Sequence, residues 1–213
     1  IVFRKDPLMA FVAALIFAVH PLHTEVVANV KSRDEIMSLL FMCLTFIYAF
    51  RYIETKKLSQ MGVALLCYFL AFLSKEYAIT LIALLPLSLF LFGGQSFKKS
   101  IITFIPFVAV IVVYILLRKS VVTAMSESST QEVLNNPYLF ASYTEKLATE
   151  ISTTLNYIKL LLVPYPLSAD YSYNSIPYVD FSNFKVWLSI IVHGGMLVAM
   201  IVLFQRVIMA RPQ

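Results

Sequence analysis

The chain has 213 residues, of which 60% are hydrophobic and 14% charged, with a mean hydropathy of +0.80. A soluble domain is typically about 25% charged and about 45–50% apolar, and a folded chain of this size still exposes much of its surface, so this composition excludes an ordinary water-soluble globule and calls for a bilayer. The net charge of +5 then reads as basic cytoplasmic loops and not as a nucleic-acid-binding surface.

A spanning helix needs roughly 20 predominantly apolar residues. On that measure about six candidate spans run at roughly 8–22, 35–52, 59–74, 77–93, 100–118 and 186–205. The predicted fold is all-α, a polytopic transmembrane helix bundle, with 1–213 forming a single transmembrane domain. Short spans are tolerated where helix ends line a water-filled cavity. Arg4 and Lys5, then Arg51, Lys56 and Lys57, then Lys98 and Lys99, and finally Arg206 and Arg211 fall in alternate connections, with Asp6 and Glu54 as the acidic exceptions. The positive-inside rule makes that side cytoplasmic. The opposite side carries 20–35, the Ser74-Lys75-Glu76 turn and a long segment over 119–185. Within that segment, 120–137 reads as a Ser, Thr, Asn and Glu-rich loop. Residues 145–163 read as an amphipathic interfacial helix with Ile151, Leu155, Ile158 and Leu162 on one face, a tilted seventh span being the rival. Pro164 and Pro166 end it. Cys43 and Cys67 lie in separate apolar runs, as small buried residues and not a disulfide. With only 5 glycines, no Gly-rich phosphate loop is present.

Polar residues then stand out by position. His20-Pro21-Leu22-His23-Thr24-Glu25 closes the first span. Two imidazoles three apart with a carboxylate nearby suit a divalent cation, an acceptor hydroxyl or a phosphate, or simply a polar helix end. Ser32 and Glu35 have capping-box spacing. Arg33 suits bidentate phosphate recognition, or a salt bridge to Asp34 or Glu35. Lys75 and Glu76 join two spans with almost no loop, and charges at that depth mark either function or a snorkelling side chain. Arg118-Lys119 has the same two readings. Arg33, Lys75 and Arg118 together would bring three cations from three helices to one outer face. Asp170, after a Pro-rich break, is an acceptor-side or metal carboxylate, or a turn former. Lys159 reads as snorkelling and His193 as a polar contact inside the bundle. The chain starts with Ile1 and ends after a basic patch, which reads as an excerpt of a longer protein.

These residues resemble a family. The run from Phe17 to Ala28, containing His20-Pro21-Leu22-His23-Thr24-Glu25, followed by Arg33-Asp34-Glu35, is similar to the transmembrane and tetratricopeptide-repeat-containing proteins and their bacterial relatives, which are C-type glycosyltransferases. Ser74-Lys75-Glu76, Asn136-Pro137, Leu160-Leu161-Leu162-Val163-Pro164 and Leu167-Ser168-Ala169-Asp170-Tyr171-Ser172 follow in the family's order. The resemblance implies an integral membrane hexosyltransferase that moves a sugar from a polyprenyl-phosphate donor to an acceptor hydroxyl on the extracytoplasmic side. In eukaryotic members the donor is dolichyl-phosphate mannose and the acceptor a protein Ser or Thr, a reaction of O-mannosylation. The implied membrane is a bacterial inner membrane with a periplasmic site or the endoplasmic reticulum with a lumenal one. His23, Glu25 and Glu76 would support catalysis, while His20, Arg33, Lys75, Arg118 and Asp170 would bind substrate. The catalytic base is expected outside these residues, and a divalent cation is left open. Carriage of an anionic lipid or solute by a transporter or flippase is the alternative; it would place charges at mid-membrane depth beside broken helices.

Overall fold

The computed structural model describes residues 6–122, 136–168, 171 and 175–209. Arg4, Lys5, Asp170, Arg211 and most of the 120–137 loop lie outside the described residues. The described chain is all helix and turn, with no strand, and divides into two compact units, Ile1–Ser126 and Glu127–Gln213.

In the first unit, α1 (Pro7–Val19) opens with Pro7 at its first position, and the Asp6 carboxylate caps it by accepting from Met9 N at 3.0 Å. Pro21 lacks an N–H and cannot continue the helix. A single 3₁₀ turn (Pro21–His23) and the short α2 (Thr24–Ala28) follow, bent 50° from α1. Then come α3 (Arg33–Thr55), α4 (Leu58–Ser74), a 3₁₀ turn over Glu76–Thr80, α5 (Leu81–Phe92) and α6 (Phe97–Val122).

The core forms around α4. Ala64, Tyr68 and Ala71 recur at helical spacing and are fully buried, joined by Phe72. Alanine at two of these positions lets α3 approach closely, the small-residue solution for helices that gain no hydrophobic drive from lipid. Ser38 on α3 is fully buried and donates its hydroxyl hydrogen to the Ala71 carbonyl at 3.1 Å. Phe104, Phe107 and Ile111 of α6, which packs on α4, belong to the same core, as do Leu81, Leu85 and Leu89 of α5, which packs on α6. Tyr68 packs on Phe107 with ring centroids 5.8 Å apart, and Phe72 stacks on Tyr114 at 4.5 Å.

The second unit packs α7 (Tyr143–Leu162) against α8 (Phe184–Met209). A capping box opens α7: Glu145 N donates to the Ser142 hydroxyl at 3.3 Å, and Ser142 N to the Glu145 carboxylate at 2.9 Å. That hydroxyl and backbone contact hold the Glu145 carboxyl below the usual carboxylate range. The helix ends at Leu162, before Pro164, as the sequence predicts.

Its most buried positions lie beside the apolar stripe, of which Ile151, Leu155 and Ile158 are half-buried. Ala148, Thr149 and Ser152 face inward, while Leu162 is 78% exposed. The reason lies in the helix contact: Ser189 of α8, fully buried, donates to the Ile151 carbonyl at 2.6 Å and lies 2.9 Å from the Thr154 hydroxyl. His193 also differs from its expected place between helices: its Nδ1 lies 2.7 Å from the Ser189 carbonyl, one turn back on its own helix. Cys43, read as buried, is exposed on α3, whereas Cys67 is buried on α4.

By length and apolarity, Val30–Thr55, Phe97–Val121 and Phe184–Met209 can each cross a bilayer, and the bent pair Pro7–Val19 with Pro21–Ala28 makes a fourth if it is one span. Leu58–Ser74 and Glu76–Phe92 are apolar but shorter.

Ala71→Leu should test the α3–α4 contact, since extra methylenes in a filled core cost about 1–3 kcal/mol. Thermal unfolding in detergent should show a lowered Tm, with Leu73→Ala, on the exposed side of α4, close to wild type.

Candidate functional site

The antiparallel packing of α3 and α4 sets where the charges meet. Ser38 and Ala71 face each other; one turn further, Asp34 at the start of α3 meets Lys75 at the end of α4. Lys75 Nζ donates to Asp34 Oδ2 at 2.7 Å and lies 3.4 Å from Glu35 Oε1. The Tyr77 hydroxyl donates to the Glu35 carbonyl at 3.2 Å, tying the 3₁₀ turn to α3 as well. Asp34 and then Glu35 hold the Lys75 ammonium above its ordinary value of 10.5. A raised value means that the Lys75 contribution to stability is present through neutral pH. It is lost only as pH climbs past that value.

The next residue begins a second pair. Glu76 accepts from Arg118 Nη1 of α6 at 2.5 Å. Arg118 also donates to the Tyr114 hydroxyl at 3.2 Å. Tyr114 is the ring stacked on Phe72, so the aromatic core of the unit positions the guanidinium. The structure thus gathers five charged side chains, Asp34, Glu35, Lys75, Glu76 and Arg118, at the ends of three helices and one turn. Each cation is matched by a carboxylate, which keeps it charged and oriented.

Arg33 stands apart. It is exposed at the first position of α3 and forms no ion pair among the described residues. The salt bridge expected of it to Asp34 or Glu35 is not made, because Lys75 occupies both carboxylates. The expected Ser32–Glu35 capping box is also absent: Ser32 makes no side-chain cap bond, and Glu35 N donates instead to Asp34 Oδ1 at 2.9 Å. Asp34 is the immediate neighbour of that N–H, two residues closer than Ser32, and Glu35 is turned toward Lys75.

His20 and His23 sit in the α1–α2 bend. His20 Nδ1 accepts from Leu22 N at 3.3 Å, so it caps the 3₁₀ turn, and the tautomer carries its proton on Nε2. The His23 ring packs on Phe17 at 4.5 Å and meets the His20 ring edge at 6.1 Å. Glu25 is exposed in the first turn of α2. Among the described residues, no three His, Cys, Asp or Glu side chains gather as a metal site. Asp170 lies outside the described residues. Asn136 forms an Asx turn, its side chain accepting from Tyr138 N at 3.2 Å. The Pro137 carbonyl accepts from the Tyr178 hydroxyl. Within its own unit, the Asn-Pro motif thus anchors the loop that enters α7.

Sequence reasoning missed Asp34, Tyr77 and Tyr114 as site residues. Tyr114 carried a signal, lying four before Arg118 on one helix face. The pairing of Asp34 with Lys75, 41 positions apart, carried none.

An all-helical chain with apolar helices of spanning length and charges at helix ends is an integral membrane protein. Residues 3–121 match the family described as dolichyl-phosphate-mannose-protein mannosyltransferase. That match takes in α1 to α6 and every charged residue of the site, and the chain belongs to this family. It is 30% identical over 171 residues to protein O-mannosyl-transferase F38B6.6 of Caenorhabditis elegans, covering 79% of this chain and 23% of that protein. It is 41% identical over 85 residues to human protein O-mannosyl-transferase TMTC4, covering 37% of this chain and 12% of the relative. With human protein O-mannosyl-transferase TMTC1 it shares 46% identity over 43 residues, 20% of this chain and 5% of the relative. The chain thus spans less than a quarter of the length of these relatives. No solved structure matches it.

A double-mutant cycle should expose the Lys75 pairing. Lys75→Ala and Asp34→Ala are each expected to lower Tm in detergent, and the double variant to lose less than the sum of the two. Strict additivity would mean that the pair adds nothing to folding.

Proposed function

We propose that the chain carries part of the wall of a membrane mannosyltransferase site. There the sugar leaves a dolichyl- or polyprenyl-phosphate donor for an acceptor hydroxyl, such as a protein Ser or Thr. The observation that carries this reading is the ordered layer of charges at one set of helix ends, inside the stretch that matches the family. A lipid donor enters sideways from the bilayer, so its phosphate belongs at helix ends.

As the glycosidic bond breaks, the phosphate oxygen gains negative charge. Fixed cations facing that oxygen stabilise the transition state more than the ground state. Arg33, without an ion pair among the described residues, is the cation assigned to direct contact. Lys75 and Arg118, oriented by Asp34, Glu35 and Glu76, add positive potential at the rim. His20 and Asp170 are assigned to substrate binding, and His23, Glu25 and Glu76 to support of the chemistry. The ladder of basic connections supports an extracytoplasmic site, periplasmic in a bacterium or lumenal in the endoplasmic reticulum. About six spans are proposed, with α4 and the Glu76–Phe92 pair as short crossings beside a wet cavity.

The carrier alternative asks for charges at mid-membrane depth. Asp34, Lys75 and Glu76 instead lie at helix termini, and Arg118 within the last two turns of α6. That position favours transfer over transport.

Full-length protein should be incubated with dolichyl-phosphate mannose and a Ser/Thr-containing acceptor, and mannose incorporation followed. Arg33→Ala is expected to lower kcat/KM by about tenfold to a hundredfold. Unchanged rates after Arg33, Lys75 and Arg118 are each replaced by Ala would sink the pocket assignment. Movement of the lipid across proteoliposomes with no covalent product would favour the carrier.

A further inference from the structure

A pair of cavities in the second unit is lined, among the described residues, by none of those assigned above. One, of about 230 Å³, is lined by Thr153, Tyr157, Lys159 and Leu160 of α7 together with Pro166 and Tyr171. The other, of about 250 Å³, is lined by Ser152 of α7, Ser175, Val179, Asn183 and Lys185. Asn156 and Ile176 line both, so the two are neighbouring lobes of one trough along α7.

The chemistry of the trough is one-sided. One lysine lines each lobe, and among the described residues no carboxylate lines either. Lys159 and Lys185 form no ion pair among the described residues, unlike Lys146, which reaches Glu150 one turn along α7. Asn156 at the junction offers an amide donor and acceptor, and Ser152, Ser175 and Asn183 extend the polar lobe. Leu160, Pro166 and the tyrosine rings make the other lobe mainly apolar.

We infer that the trough binds a phospholipid with a hydroxyl-bearing phosphate headgroup. The two lysines attract the phosphate, Asn156 and the serine hydroxyls meet the headgroup hydroxyls, and the acyl chain lies along Leu160 and Pro166. The assignment concerns binding alone and does not depend on sugar transfer: a protein that fails to transfer mannose can still hold this lipid, and the reverse.

Native mass spectrometry of the full-length protein in detergent, titrated with phosphatidylglycerol or phosphatidylcholine, reads the site directly. Phosphatidylglycerol is expected to bind in preference. The K159Q/K185Q double variant should hold it about tenfold more weakly, and K159R/K185R should stay close to wild type. Both lysines are exposed, so the variants should elute as wild type does from size exclusion. Lys146→Gln removes one charge from the same helix outside both lobes and should leave binding unchanged. Equal loss in Lys146→Gln, equal binding of phosphatidylcholine, or full binding by the double glutamine variant would overturn the assignment. Glycerol 3-phosphate serves as a soluble competitor: its failure to compete supports the lipid. Displacement of the lipid at equal concentration would overturn the lipid assignment in favour of a free phosphate ester.

Discussion

The contact between α3 and α4 governs the first unit. A buried serine hydroxyl meeting a main-chain carbonyl across two helices fixes their register, because a slip of one residue would leave the hydroxyl facing apolar side chains. From Ser38 and Ala71 the register runs outward by one turn to Asp34 and Lys75. The ion pair is therefore a consequence of core packing. Its side chains are 33% and 40% exposed, so solvent weakens its contribution to stability. Its larger effect is to hold charge in a defined place.

A second line connects the core to the site through aromatic rings. Phe107 meets Tyr68, Tyr68 meets Phe72 at 4.8 Å, Phe72 stacks on Tyr114, and the Tyr114 hydroxyl accepts from Arg118. Rings have few rotatable bonds, so a guanidinium held this way loses little further freedom on meeting a ligand. Glu76 completes the arrangement from the turn that α4 and α5 share. The charged layer is thus built from both sides of α4, through the serine contact on one and the aromatic stack on the other.

The second unit solves a similar packing problem with hydroxyl groups. Thr149 accepts from Val179 N at 3.0 Å, Ser189 reaches Ile151 and Thr154, and Ala148 and Val186 fill the remaining contact. Small polar residues bring α7 and α8 close without a large apolar interface. That arrangement leaves Asn156, Lys159 and Lys185 beside open cavities.

Helix positions were legible from the sequence because a bilayer demands long apolar runs and short breaks, and proline and charge punctuate them. So were the polar run His20–Glu25, the end of α7 and the charged positions Arg33, Lys75, Glu76 and Arg118, since a charge beside an apolar run stands out wherever it folds. Partnership was not legible. Lys75 and Arg118 read along the chain as functional charges or as snorkelling side chains, but their carboxylates come from residues 41 and 42 positions away, and only helix packing brings them within reach. The same limit explains Glu35, whose spacing from Ser32 suited a cap until Lys75 drew it away. It also explains α7, whose most buried positions, Ala148, Thr149 and Ser152, lie at its contact with α8. Local sequence determined which segments are helical and which residues are polar; tertiary structure decided which charges neutralise one another, because electrostatic pairing depends on distance in space.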